Sequence, residues 1–208
     1  MSARLCRLAC PRRLEGERVR FFKSFFHLLI LSLFIVSCQS DSYQIKGCTP
    51  QLKNGDTITL AFEDPPQKVL GQAYVIDGIF KFGGTTDTVL FCKAYLNREP
   101  LTSVSFFLEP GNITIELNKH PKPSRVSGTV LNNEWQALND TVQGLGYKLI
   151  RLAEVSCKTQ ATNRQYLQQS IDSLHHRISD YITETAQRNK TNVLGKYILE
   201  NYKEPEFK

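Results

Sequence analysis

The sequence predicts an α+β protein: an N-terminal antiparallel β-sandwich or barrel-like domain, then a helical hairpin and a short third helix. Three observations carry this. Short apolar runs broken by turn signals recur from Tyr43 to Gly128, the pattern of half-buried strands in an antiparallel fold. At Asn132 the apolar period lengthens from two residues to between three and four, the change from strand to helix. A second run of helical period follows a polar break at 158–163.

The elements follow in order. Tyr43–Gly47 is a first strand, and Lys53-Asn54-Gly55-Asp56 reads as a turn. Thr57–Phe62 places Ile58, Leu60 and Phe62 on one face, because alternate strand residues share a face. Pro65-Pro66 ends it. Lys68–Ile76 and Ile79–Phe82 flank Asp77-Gly78, a strong signal for a short hairpin. Val89–Tyr95 and Ser103–Leu108 come next. Glu109-Pro110-Gly111-Asn112 turns the chain into Ile113–Leu117, and Arg125–Gly128 is a last short strand after Pro121 and Pro123. Phe80, Phe82, Phe106 and Leu108 are expected inside, with Phe107 on the opposite face of its strand.

Trp135, Leu138, Val142, Leu145, Leu149 and Leu152 form one apolar helical stripe. Gly144 and Gly146 lie within it, each costing about 1 kcal/mol relative to Ala, as a kink or a close packing would require. Leu167, Ile171, Leu174, Ile178, Tyr181 and Thr185 form a second stripe. Each runs under three heptads, so packing as a hairpin on the sheet domain is favoured over a coiled-coil dimer. Asn192–Tyr202 is a third short helix, and Pro205 closes the chain.

Ahead of these elements, residues 25–37 are uncharged and apolar and end on Cys38. Upstream lie Arg4, Arg7, Arg12, Arg13, Arg18, Arg20 and Lys23, against Glu15 and Glu17. A basic segment, a short apolar segment and a small residue before the cut make an export signal. Ile35-Val36-Ser37-Cys38 resembles a bacterial lipobox, in which the cysteine thiol takes a diacylglycerol. This run of 13 residues would rise about 20 Å as a helix, short of a hydrocarbon core of about 30 Å. A transmembrane anchor is therefore the weaker reading, as is a plain cleaved signal with a chance cysteine. The expected organisation is a lipoprotein signal peptide at 1–37, a lipidated tether at 38–42, a β-domain at 43–131 and a helical region at 132–208.

The whole chain has 26 basic and 20 acidic residues, net +6. Residues 1–37 hold seven of the former and two of the latter, which leaves 19 and 18 in the remainder. The positive excess belongs to the export segment and gives no support for nucleic-acid binding, which needs a basic patch on the folded domain. Cys38, Cys48, Cys92 and Cys157 follow the cut. With Cys38 lipidated, three thiols remain in an oxidising compartment. Cys48 and Cys92 are a possible structural disulfide if their Cα atoms come close enough; buried, unreactive thiols are the plainer reading.

Asp77-Gly78-Ile79-Phe80-Lys81-Phe82-Gly83-Gly84, Phe106-Phe107-Leu108-Glu109-Pro110-Gly111-Asn112-Ile113 and Val126-Ser127-Gly128-Thr129 with Asn132 resemble the DUF4369 domain. That domain is common in exported proteins of Bacteroidota, usually ahead of a thioredoxin-like domain. The resemblance spans about Tyr43–Asn132 and implies a thiol-disulfide setting. The given chain ends at Lys208, where the thioredoxin-like domain would begin, and holds no C-x-x-C. The redox chemistry of the fused form is therefore not carried over. Gln39-Ser40-Asp41-Ser42 lack the dense acidic cluster linked with surface export in that phylum, so the expected place is the outer membrane, facing the periplasm.

Other chemistry is weakly signalled. Asp172 and His176 share a helix face while His175 points elsewhere, too few ligands for a closed zinc site; no metal or other cofactor is expected. Cys157 as a nucleophile would need His120 or His175 folded against it. Gly144-Leu145-Gly146 lacks the third glycine of a dinucleotide site. Ser124 and Ser127 have no hydrolase context, and Glu109 is expected to serve its turn. Asp56-Thr57-Ile58, Asp87-Thr88-Val89 and Asp140-Thr141-Val142 resemble O-glycosylation triplets of exported Bacteroidota proteins, or are ordinary turn residues. The expectation is a non-catalytic, lipid-anchored envelope protein that binds or scaffolds at the membrane. The alternative is an accessory partner of a separate thioredoxin-like protein in periplasmic thiol-disulfide exchange.

Overall fold

The computed structural model describes residues 41–63, 68–158 and 161–202. The export segment with Cys38, the Pro65-Pro66 break and Pro205 lie outside them. Eight strands are described: β1 Ser42–Cys48, β2 Thr57–Phe62, β3 Val69–Tyr74, β4 Ile79–Thr85, β5 Leu90–Leu96, β6 Glu99–Leu108, β7 Gly111–Glu116 and β8 Arg125–Ser127. Three helices follow: α1 Val130–Lys158, α2 Ala161–Arg188 and α3 Val193–Asn201. The strands make two open four-stranded sheets, ordered β4-β1-β7-β8 and β3-β2-β5-β6. The architecture is α+β with a sandwich, not a closed barrel.

Alternation builds the core. Ile45, Phe80, Ile113, Ile115 and Val126 of the first sheet and Ile58, Leu60, Ala94, Phe106 and Leu108 of the second are all buried in one apolar cluster. Gly47 stands opposite Phe80 on the neighbouring strand. A Cβ at Gly47 would lie 2.0 Å from the Phe80 ring, so the absent side chain is what lets that ring lie over β1.

Three features depart from the strand pattern in the sequence. β1 pairs with β7 in parallel, Ile45 beside Ile113 and Gly47 beside Ile115, so the sandwich is antiparallel with one exception. The Asp77-Gly78 turn has both residues at positive φ, 50° and 72°, as a type I′ turn needs. Yet it closes only the Ile76–Ile79 bridge, and its strands part into different sheets. β4 instead pairs with β1 from Ser42–Thr85 to Cys48–Ile79, a longer ladder than a lone hairpin would provide. Finally, β6 starts at Glu99, earlier than Ser103. Pro100, Leu101 and Thr102 bulge between the Tyr95–Ser103 and Leu96–Glu99 pairs, and a proline inside a strand hides its beginning from sequence reading.

Of the expected core residues, Phe80, Phe106 and Leu108 are buried, and Phe82 is half-buried at the edge of the cluster. Phe107 does lie on the opposite face of β6, but it is 0% exposed. Its ring sits 5.0 Å from Phe91, 5.9 Å from Trp135 and 5.7 Å from Tyr197, centroid to centroid. At Phe106 and Phe107, β6 is thus buried on both faces, by the sandwich core and by α1 and α3.

The hairpin of α1 and α2 forms as the stripes predict. Trp135, Leu138 and Leu145 are buried, with Val142, Leu149 and Leu152 half-buried. On α2, Leu174 and Thr185 are buried, and Leu167, Ile171, Ile178 and Tyr181 half-buried. Gly144 and Gly146 mark no close packing: α1 runs through them, and an added Cβ would meet nothing within 4 Å at either. Asn192 caps α3, its side chain accepting from the Gly195 N–H at 3.2 Å.

Candidate functional site

An edge strand presents unpaired N–H and C=O groups that a protein must cover. Here α1 covers two edges at once. The Phe107 N–H donates to Asn132 Oδ1 at 2.9 Å, and Asn132 Nδ2 donates to Phe107 O at 2.7 Å. The Asn132 amide thereby bonds β6 as a strand residue would. One helical turn on, Trp135 Nε1 donates to Ser105 O at 2.9 Å. On the other sheet, the Val126 N–H of β8 donates to Gln136 Oε1 at 2.8 Å, and the Gly128 N–H donates to Asn133 Oδ1 at 3.0 Å. Arg125 and Asp140 add an exposed ion pair between β8 and α1. Glu109 does more than turn the chain: its Oε1 accepts the Leu131 N–H at 3.2 Å, a favourable charge at the N-terminal turn of α1.

Past Trp135 the helix leaves the β6 edge, and a cleft of about 330 Å³ opens between them. Leu101, Ser103 and Ser105 of β6 form one wall, and Gln136, Asn139, Gln143 and Tyr147 of α1 form another. The loop with Asn118, His120 and Lys122 closes the third side. This loop is braced from within. Asn118 is 2% exposed; its Nδ2 donates to Pro123 O at 2.9 Å and Glu116 Oε1 at 3.1 Å. Its Oδ1 is buried with no partner among the described residues. The Asn118 hydrogen bond first, then Lys122 at 3.1 Å, hold the Glu116 carboxyl below the usual carboxylate range.

Two other grooves flank α1. One of about 370 Å³, lined by Thr114, Arg125, Asn133 and Asp140, lies between β8 and the helix. A shallow one of about 680 Å³ runs along the hairpin between Lys148, Arg151 and Val155 on α1 and Gln169 and Ser173 on α2.

The thiols are not brought together. Cys48, Cys92 and Cys157 are all free. Cys48 is exposed at the end of β1, while Cys92 lies in β5 of the other sheet, on the inward side with Phe106. The pairing considered for Cys48 and Cys92 is therefore not formed, since one side chain faces solvent and the other the core. Burial, with Glu63 adding to it, pushes the Cys92 thiol up to about 12. His175 and His176 are exposed, and Asp172 accepts from Gln168 Nε2 at 2.9 Å. Among the described residues no group of three or more His, Cys, Asp or Glu could hold a metal ion. Of the threonine triplets, Thr88 is exposed, and Thr57 and Thr141 are half-buried.

Sequence reasoning weighs His120 and Ser124 for other chemistry and Trp135 as part of the apolar stripe, and passes over the polar residues of α1 that line the cleft. Asn139, Gln143 and Tyr147 recur every four residues along α1, a polar line beside the apolar stripe that could have been read. Asn118 carries no such signal.

These features define a class: a two-sheet β-sandwich with one edge of each sheet capped by the first helix of a helical hairpin. Residues 43–135 match the family model of DUF4369, a domain of unknown function, and this part of the chain is a DUF4369 domain. The matched stretch runs into α1 far enough to include Asn132 and Trp135. No curated protein matches the chain.

Proposed function

We propose that the protein is a lipid-anchored component of the cell envelope, held through Cys38 at the periplasmic face of the outer membrane, and that it binds or scaffolds without chemistry of its own. The cleft beside β6 is the observation that carries the binding role. Its walls come from a strand, a helix and a braced loop, so the polar side chains in it are held on rigid elements, as binding sites favour. The anchor is supported by the apolar run that ends on Cys38. Among the described residues no helix is long and apolar enough to cross a membrane. Acyl chains contribute about 0.8 kcal/mol per buried CH₂, and stable attachment takes two or more anchoring signals. Cys38→Ala should therefore abolish fatty-acid labelling and move the protein from the membrane to the soluble fraction, or block its processing. A Cys38→Ala protein that still labels and sediments with membranes rules out the anchor.

A second reading is an accessory role beside a separate thioredoxin-like protein. The exposed free thiols Cys48 and Cys157 favour it, because exchange needs an accessible thiolate. Insulin reduction with dithiothreitol decides: turnover above the reagent blank that disappears in Cys157→Ser or Cys48→Ser promotes this reading over binding.

A further inference from the structure

We infer that the cleft between β6 and α1 takes a neutral, hydroxyl-rich ligand of the saccharide class. This rests on the binding role proposed for the same cleft. His120 apart, its uncommitted side chains are uncharged. Ser103, Ser105, Asn139, Gln143 and Tyr147 line it, and their hydroxyl and amide groups make no hydrogen bond to another described residue. Each such group can both donate and accept, or does so through paired amide atoms, which is what neighbouring sugar hydroxyls require. Asn118, whose Oδ1 is buried with no partner among the described residues, holds the loop that closes the cleft rather than reaching into it. Tyr147 is 62% exposed and offers a ring face with a polar tip, suited to the apolar face of a sugar ring.

The other ligand classes fit less well. An anion would want a free cation, but Lys122 is already 3.1 Å from Glu116. An extended peptide would add a strand to the β6 edge. That edge is blunted: Pro100, Leu101 and Thr102 bulge out of register, Trp135 occupies the Ser105 carbonyl, and Asn132 occupies both outward groups of Phe107. A volume of about 330 Å³ lies at the small end of ligand sites and suits one or two ring units.

Trp135 lines the cleft and is the one tryptophan of the chain, so its emission reports occupancy. The full chain, in a detergent without a sugar head group, is titrated with maltose, cellobiose and diacetylchitobiose to about 10 mM. Glucose 6-phosphate and the peptide Ala-Ser-Thr-Ser-Ala serve as anionic and peptide arms. At least one neutral saccharide should change the emission saturably. Gln143→Leu and Tyr147→Ala, at exposed helix positions, should each weaken that binding about tenfold or more with far-UV circular dichroism unchanged. A saccharide response that both variants leave intact overturns the inference. If only the peptide or the phosphate responds, the saccharide class is wrong and the binding role stands. If no probe responds, the inference falls and the cleft loses its binding role as well.

Discussion

Asn132→Ala is the sharpest test of how the helices and the sandwich are joined. Asn132 and Phe107 are both 0% exposed. The substitution removes the acceptor of the Phe107 N–H at 2.9 Å and the donor to Phe107 O at 2.7 Å. Each buried backbone group left without a partner costs about 1–3 kcal/mol. A water entering the vacated space would offset part of this, so the expected loss is about 2–4 kcal/mol. That is a large share of a net stability of about 5–15 kcal/mol. The neighbouring Asn133→Ala is the control, since its bond to the Gly128 N–H is exposed and should contribute about 0.5–1.5 kcal/mol. Urea unfolding followed by circular dichroism and Trp135 emission gives both values. An Asn132→Ala loss below about 1 kcal/mol, or equal to that of Asn133→Ala, would refute the claim that this amide seals the β6 edge.

Further outcomes follow from the same packing. Phe107→Ala should cost about 3–5 kcal/mol, as much as Phe106→Ala, because both faces of β6 are buried at these residues; chemical denaturation compares them. Gly144→Ala should stabilise by about 0.5–1 kcal/mol, whereas Gly128→Ala should destabilise, since its φ is +107° and an added Cβ would lie 2.2 Å from Asn112 O; melting temperatures should move in opposite directions. Hydrogen bonds from Arg98, at 2.8 Å to each carboxylate oxygen, are the main cause that holds Asp56 down from 3.8 to about 2. Because the folded value is the lower one, this contribution is complete above about pH 5 and is lost as pH falls towards 2. With Arg98 48% exposed, solvent screening reduces it to about 1 kcal/mol, and Asp56→Asn should flatten that part of the stability profile measured by urea unfolding from pH 2 to 6.

Local physics determined much that the sequence shows by itself. A side-chain period of two or of 3.6 is a property of a single segment, so the strands, the two helical stripes and the α+β class are visible without any partner. The turn at Asp77-Gly78 is local too, and its positive φ values follow from its residues. Only the tertiary structure decided which strands pair. An alternating strand looks the same whether its neighbour runs parallel or antiparallel, so the β1–β7 pairing and the splitting of β3 from β4 were not legible. Burial of the second face of β6 likewise depends on α1 and α3 arriving over Phe107, and nothing adjacent to that residue encodes their arrival. The candidate site shares this limit. Asn139, Gln143 and Tyr147 lie on one helix line that sequence can suggest. Their meeting with Ser103 and with the buried amide of Asn118 arises because Asn132 and Trp135 fix the helix to one strand edge and Gln136 fixes it to the other.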